Sequence, residues 1–143
     1  MLSLAASAAL ISAPALAQSS EQKCPVALDQ VQLSYAHNGE QSKPQLRIVF
    51  GNAAGKRIAN VTFTLSVLDS GGYPHPYPDD LVYGDGLEAS ERKNFIWTLA
   101  PDSVDIHHTG ETVLLQEVEF ADATTWKDDG SESCVLTVDF HPK

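Results

Sequence analysis

Histidine is the residue type with the most chemistry to offer here, and the chain has five of them. His107 and His108 are adjacent and are followed two residues later by Gly110-Glu111, whereas His37, His75 and His141 are scattered. Loops at one end of a fold can bring three imidazoles to a point, and such a set suits Cu(II) or Zn(II), which bind neutral imidazole nitrogen. Adjacent histidines in a polar connection instead turn to opposite sides and are simply hydrated. A small periplasmic copper or zinc protein using His107, His108 and a third histidine is the alternative expectation; the leading one needs no cofactor.

Two acidic sets come next. Asp79-Asp80 with Asp85 and Glu88, and Asp122 with Asp128, Asp129 and Glu132, offer oxygen ligands, but neither has the D-x-[DN]-x-[DN]-G spacing of a calcium loop. They read as solvated turns. For catalysis there is no Gly-x-Ser-x-Gly elbow, and scattered Ser, His and Asp residues define no triad. A glycosidase would need two carboxylates facing each other across a cleft, which a small sandwich rarely provides. No enzyme is expected.

The third stretch is Tyr73-Pro74-His75-Pro76-Tyr77-Pro78. Prolines at every second position remove backbone donors and stiffen the chain, which excludes an internal strand and points to an exposed connection. Tyr73 and Tyr77, with His75 between them, then offer aromatic faces to a sugar or a protein at small entropic cost. Equally, the tyrosines can fold back over the end of the domain. The first reading makes Tyr73, His75 and Tyr77 a binding surface; the second makes them packing.

Strands are the elements that must position these residues. From Ile58 to Asp69, Val61, Phe63, Leu65 and Val67 alternate with Thr62, Thr64 and Ser66, the pattern of a central strand with one apolar and one hydroxyl-rich face. Val26 to Tyr35 reads as a first strand; Leu28 is out of step with Val31, which predicts a bulge near Asp29. His37-Asn38-Gly39-Glu40 is a turn leading to a second strand, Pro44 to Phe50. Leu81 to Tyr83 reads as a short edge strand, and Arg92 to Leu99 as a strand that sends Phe95, Trp97 and Leu99 inward. Pro101-Asp102-Ser103 is a turn. Thr112 to Ala121 is long and apolar on both faces at its start, with Leu114 sharing the parity of Val118 and Phe120. Trp126 precedes a polar hairpin, and a last strand turns Cys134, Leu136, Val138 and Phe140 inward. About seven strands without a helical period predict an all-β fold, a single antiparallel Ig-like β-sandwich. A small closed barrel has the same spacing.

Residues Met1 to Ala17 carry no charge and end in Ala15-Leu16-Ala17, the small-x-small pattern of a signal peptide cleaved before Gln18, although a basic start is missing. The expected domain is residues 18–143, exported to the periplasm or beyond. Its formal charge of −10 argues against nucleic acid, and no mature segment is apolar enough to insert in a membrane. Two cysteines in an exported chain pair, so Cys24 and Cys134 are expected to form a disulfide.

Lys56-Arg57-Ile58 entering the central strand, Gly86, and Val118-Glu119-Phe120-Ala121-Asp122 followed by Trp126 resemble the small Ig-like modules of the FxLYD type and related exported bacterial proteins. The similarity spans most of residues 26–140. This chain departs from the pattern at Ala123, where those modules carry Gly. The resemblance implies a fold and an extracytoplasmic location, and no catalytic residue. The functional expectation is an exported, non-catalytic binding or accessory module whose partner is a protein or glycan of the cell envelope.

Overall fold

The computed structural model describes residues 23–38, 41–105 and 107–139. The expected signal peptide, with the rest of residues 1–22, and Gly39-Glu40, Ile106 and residues 140–143, including Phe140 and His141, lie outside the described residues. The chain forms nine strands: β1 (Val26–Asn38), β2 (Gln41–Asn52), β3 (Ile58–Leu68), β4 (Pro74–Pro76), β5 (Leu81–Tyr83), β6 (Arg92–Thr98), β7 (Gly110–Phe120), β8 (Thr125–Lys127) and β9 (Val135–Asp139). All pairings are antiparallel, and the strands make two sheets, one of order β1-β2-β6 and one built on β3 and β7. The all-β sandwich read from the sequence is therefore the fold.

The strand count exceeds the expected seven because both edges of the larger sheet are divided. β4 and β5 pair successive stretches of β3, and β9 and β8 pair successive stretches of β7. One of these corrects the sequence reading: residues 74–76 are a paired edge strand rather than a free connection, although they remain exposed. Trp126 likewise sits within a short strand, β8.

Alternation explains the core. Along β3, Val61, Phe63, Leu65 and Val67 are buried while the hydroxyl residues between them face outward. The expected bulge in β1 falls at Asp29, where the register with β2 slips between Leu28 and Gln30. A second slip separates residues of one parity in β7. Thr62 pairs Glu117 and Phe63 pairs Leu115, so Gln116 is extra and the inward set changes from Val113 and Leu115 to Val118 and Phe120. Leu114 thereby belongs to the outer face.

Between the sheets, Phe50, Phe63, Trp97, Phe95 and Tyr83 form a closed ring of edge-to-face contacts with centroids 4.7 to 5.8 Å apart. Each such pair adds about 1 kcal/mol beyond area burial. Trp97 is half-buried at the margin and donates its indole N–H to the Val82 carbonyl at 3.2 Å. On the opposite flank, Cys24 and Cys134 form the expected disulfide, tying the start of β1 to the start of β9.

Candidate functional site

The proline strand has a physical reason for its spacing. The amide of Asp69 donates to the Tyr73 carbonyl at 2.9 Å and that of Tyr77 to the Leu65 carbonyl at 2.8 Å, so odd-numbered residues of this edge bond to β3. In an antiparallel ladder the positions between them point their N–H groups away from the partner. Those positions are Pro74 and Pro76, which have no N–H, so the edge offers few donors to an added strand.

Tyr73, His75 and Tyr77 therefore share one side of the edge, but in different settings. Tyr73 is 71% exposed. His75 Nε2 lies 2.7 Å from Asp69 Oδ2, while Asp69 Oδ1 accepts the amides of Gly71 and Tyr73. The His75 contact, then the Tyr73 amide, hold the Asp69 carboxyl below its ordinary value. Tyr77 packs against the core, and its hydroxyl accepts the Ala100 N–H at 3.1 Å. Of the two tyrosines, one is thus surface and one is packing.

The other side of β4 forms the wall of a groove of about 540 Å³ on the outer face of the larger sheet. Register aligns Pro76, Ser66, Thr112 and Thr137 across the strands, and the Thr112 and Thr137 hydroxyls lie 3.1 Å apart. Thr64, Ser66 and Thr112 make a hydroxyl floor, Pro74, Pro76, Leu114 and Val135 apolar walls, and Glu132 a rim, with Tyr77, Leu65 and Leu68 also lining it. Val135 is 42% exposed. Alternation marked Thr64 and Ser66 as an outward hydroxyl row; the walls escaped notice because they come from strands distant in sequence.

The adjacent histidines separate. His107 is exposed, while the His108 side chain is 8% exposed and turned inward. His108 Nδ1 lies 2.9 Å from the Tyr35 hydroxyl and 3.0 Å from the Asp105 carbonyl oxygen. Its Nε2 is 3.8 Å from Oε2 of Glu111, a carboxylate with no solvent exposure. Gly110 permits this placement of Glu111, since a Cβ there would sit 2.5 Å from the Val138 carbonyl oxygen. Among the described residues, no three His, Cys, Asp or Glu side chains gather in a metal-binding group.

The acidic turns bind themselves. Asp122 is pulled down to about 2 by hydrogen bonds from the Thr124 hydroxyl and Lys56, and Asp129 is lowered by Ser131. Glu88 pairs with Arg57 at 2.6 Å.

No family model and no curated protein matches the chain. Among solved structures it is similar to a hypothetical protein of Peptoclostridium difficile 630, with 10% identity, a TM-score of 0.55, and coverage of 78% of this chain and 90% of that one. It is also similar to the Northeast Structural Genomics Consortium target SoR45, with 6% identity, a TM-score of 0.50, and coverage of 82% of this chain and 87% of that one. At such identities the likeness concerns the fold alone.

Proposed function

We propose that the chain is an exported, non-catalytic Ig-like module that holds a glycan of the cell envelope in the outer groove. The observation that carries this reading is the groove itself, in which a hydroxyl floor lies between apolar walls on a sheet face open to solvent. A sugar ring has the matching chemistry: hydroxyls that exchange hydrogen bonds with Thr64, Ser66 and Thr112, and a C–H face that lies against Pro74, Pro76 and Leu114. Among the described residues no lysine or arginine lines the groove, which favours a neutral sugar over an anionic one. Glu132 is the carboxylate at its rim, and glycoside hydrolysis in its usual form employs two. Export is supported by the uncharged leader and by a disulfide, a bond of oxidising compartments. Among the described residues no helix is long and apolar enough to cross a membrane.

The test is calorimetric titration of the protein with soluble N-acetylglucosamine oligosaccharides, followed by amide NMR mapping. Binding with Kd of about 1 mM or tighter, with shifts centred on Ser66 and Thr112, is expected. Leu114→Arg, which places a charge on the wall without entering the core, should weaken it roughly tenfold or more. Absence of binding to these sugars, together with binding of a protein partner at the same face, would replace the glycan; shifts confined to Tyr73 and His75 would remove the groove altogether.

A further inference from the structure

The buried carboxylate of Glu111 plays no part in the groove, and it occupies a position where alternation calls for an apolar side chain. Glu111 shares the inward parity of Val113 and Leu115, and its strand neighbours are Val67 on β3 and Val138 on β9. Neither of its oxygens has a hydrogen-bond partner among the described residues. An ionised carboxylate in such a place is costly, because no described residue hydrogen-bonds to it in place of the water it has lost.

The hydrogen bonds around His108 fix where its proton sits. The Tyr35 hydroxyl has a single hydrogen, and it donates this to the Asp105 carbonyl oxygen at 2.6 Å. The contacts of His108 Nδ1 with the Tyr35 oxygen and the Asp105 carbonyl oxygen then require the hydrogen to be on Nδ1. In the neutral ring, Nε2 therefore presents a lone pair toward Glu111, 3.8 Å away. With one proton between them, whether on Glu111 or on His108, the two groups attract; without it, a carboxylate faces a lone pair in a dry interior.

We propose that Glu111 and His108 form a protonation switch that fastens the 100–109 connection to the end of the sandwich under mildly acidic conditions and loosens it as the pH rises past neutrality. The connection is attached through this corner. Tyr35 holds the Asp105 carbonyl, Val104 is buried, and the Thr109 hydroxyl donates to the Asp69 carbonyl oxygen at 2.8 Å.

Several titratable groups surround this corner. β1 contributes Tyr35, whose own hydroxyl is pushed up to about 12 by burial, with Asp105 and Glu111 adding to the effect. The connection contributes Asp105, β9 contributes Asp139 opposite Gly110, and beyond β3 the Asp69–His75 pair stands on the far side of Thr109. Burial pushes the Glu111 carboxyl from 4.5 up to about 7; the Leu33 amide opposes this from a geometry short of a hydrogen bond. Between those two values the folded chain keeps a proton that the unfolded chain has released. Stability from this group is thus complete below 4.5 and is lost as the pH rises through about 7.

Chemical denaturation and amide exchange of the intact protein at about pH 5 and about pH 8 test the switch. The folding equilibrium constant should fall roughly a hundredfold across that interval, and exchange at positions 104–109, corrected for intrinsic rate, should accelerate. Glu111→Gln keeps the shape and removes the charge, so it should abolish both changes and make the protein more stable than the parent at the higher pH. His75→Ala should leave them in place. Retention of the full pH dependence in Glu111→Gln would overturn the proposal. If that variant fails to fold, carbon NMR of the parent decides: a Glu111 carboxyl titrating near the ordinary glutamate value overturns the switch, and one titrating near neutrality supports it.

Discussion

The two flanks of the sandwich are closed by opposite means. Along β5 and β6, five aromatic rings contact one another edge to face and join β2 and β6 of one sheet to β3 and β5 of the other. Along β1 and β9, the sheets meet through the Cys24–Cys134 disulfide and through a corner where Tyr35, His108 and Glu111 are brought together. The first flank is closed by aromatic rings and depends on contact area. The second combines a covalent tie with a buried polar group, and a polar group is sensitive to solvent conditions where an apolar one is not. The contrast makes the flank beside β1, with its buried carboxylate, the one where a response to pH is to be sought.

The contrast can be broken most forcefully at the disulfide. The bridge spans a sequence separation of 110, and for a loop of that size the chain-entropy model gives roughly 4 to 5 kcal/mol. Cys24→Ser with Cys134→Ser should lower the denaturation midpoint by a corresponding amount, and an unchanged midpoint would mean that the polar flank closes without its tie. Removing the central ring of the other flank, Phe63→Ala, should cost about 3 to 5 kcal/mol. Because the loss is one of packing, it should be the same at about pH 5 and about pH 8. A strongly pH-dependent loss would refute the division between the flanks.

Smaller effects separate the two tyrosines of the proline strand. Tyr77→Ser removes a half-buried ring and the acceptor of the Ala100 N–H, so urea melts should show a loss of about 2 kcal/mol. Tyr73→Ser, at a ring 71% exposed, should stay within about 0.5 kcal/mol of the parent. Equal losses in the two variants would contradict the placement of Tyr77 as a link between the edge strand and the 100–109 connection. The smallest effect concerns Ala123, whose φ of 72° is one that a side chain resists. Ala123→Gly should raise stability by about 0.5 kcal/mol, after allowance for the extra freedom of glycine in the unfolded chain. A loss there would show that the turn tolerates its alanine without strain.

Much of the architecture was legible locally. The out-of-step Leu28 announced the bulge at Asp29, and the alternation of residues 61–67 marked both the buried and the hydroxyl face of β3. The proline spacing excludes an internal strand and points to an exposed connection. The remaining step, pairing with β3, depends on which atoms lie alongside, and prolines at alternate positions are compatible with either outcome until the neighbour is known. That Leu114 faces away from Val118 and Phe120, whose parity it shares, is hidden for a related reason: the bulge at Gln116 leaves no mark in a strand that is apolar on both faces.

The candidate sites divide along the same line. By itself the sequence determined the periods of its strands, the cysteines available to pair and the exclusion of residues 73–78 from any internal strand, because those depend on residue type and on spacing within a few positions. Tertiary structure alone decided that Leu114 and Val135 face Pro76 across one groove, that Tyr77 packs while Tyr73 does not, and that His108 meets Tyr35 from 73 residues away in the chain. Periodicity specifies the face on which a side chain lies but not the strand placed beside it. A groove and a buried carboxylate beside an imidazole both depend on that neighbour.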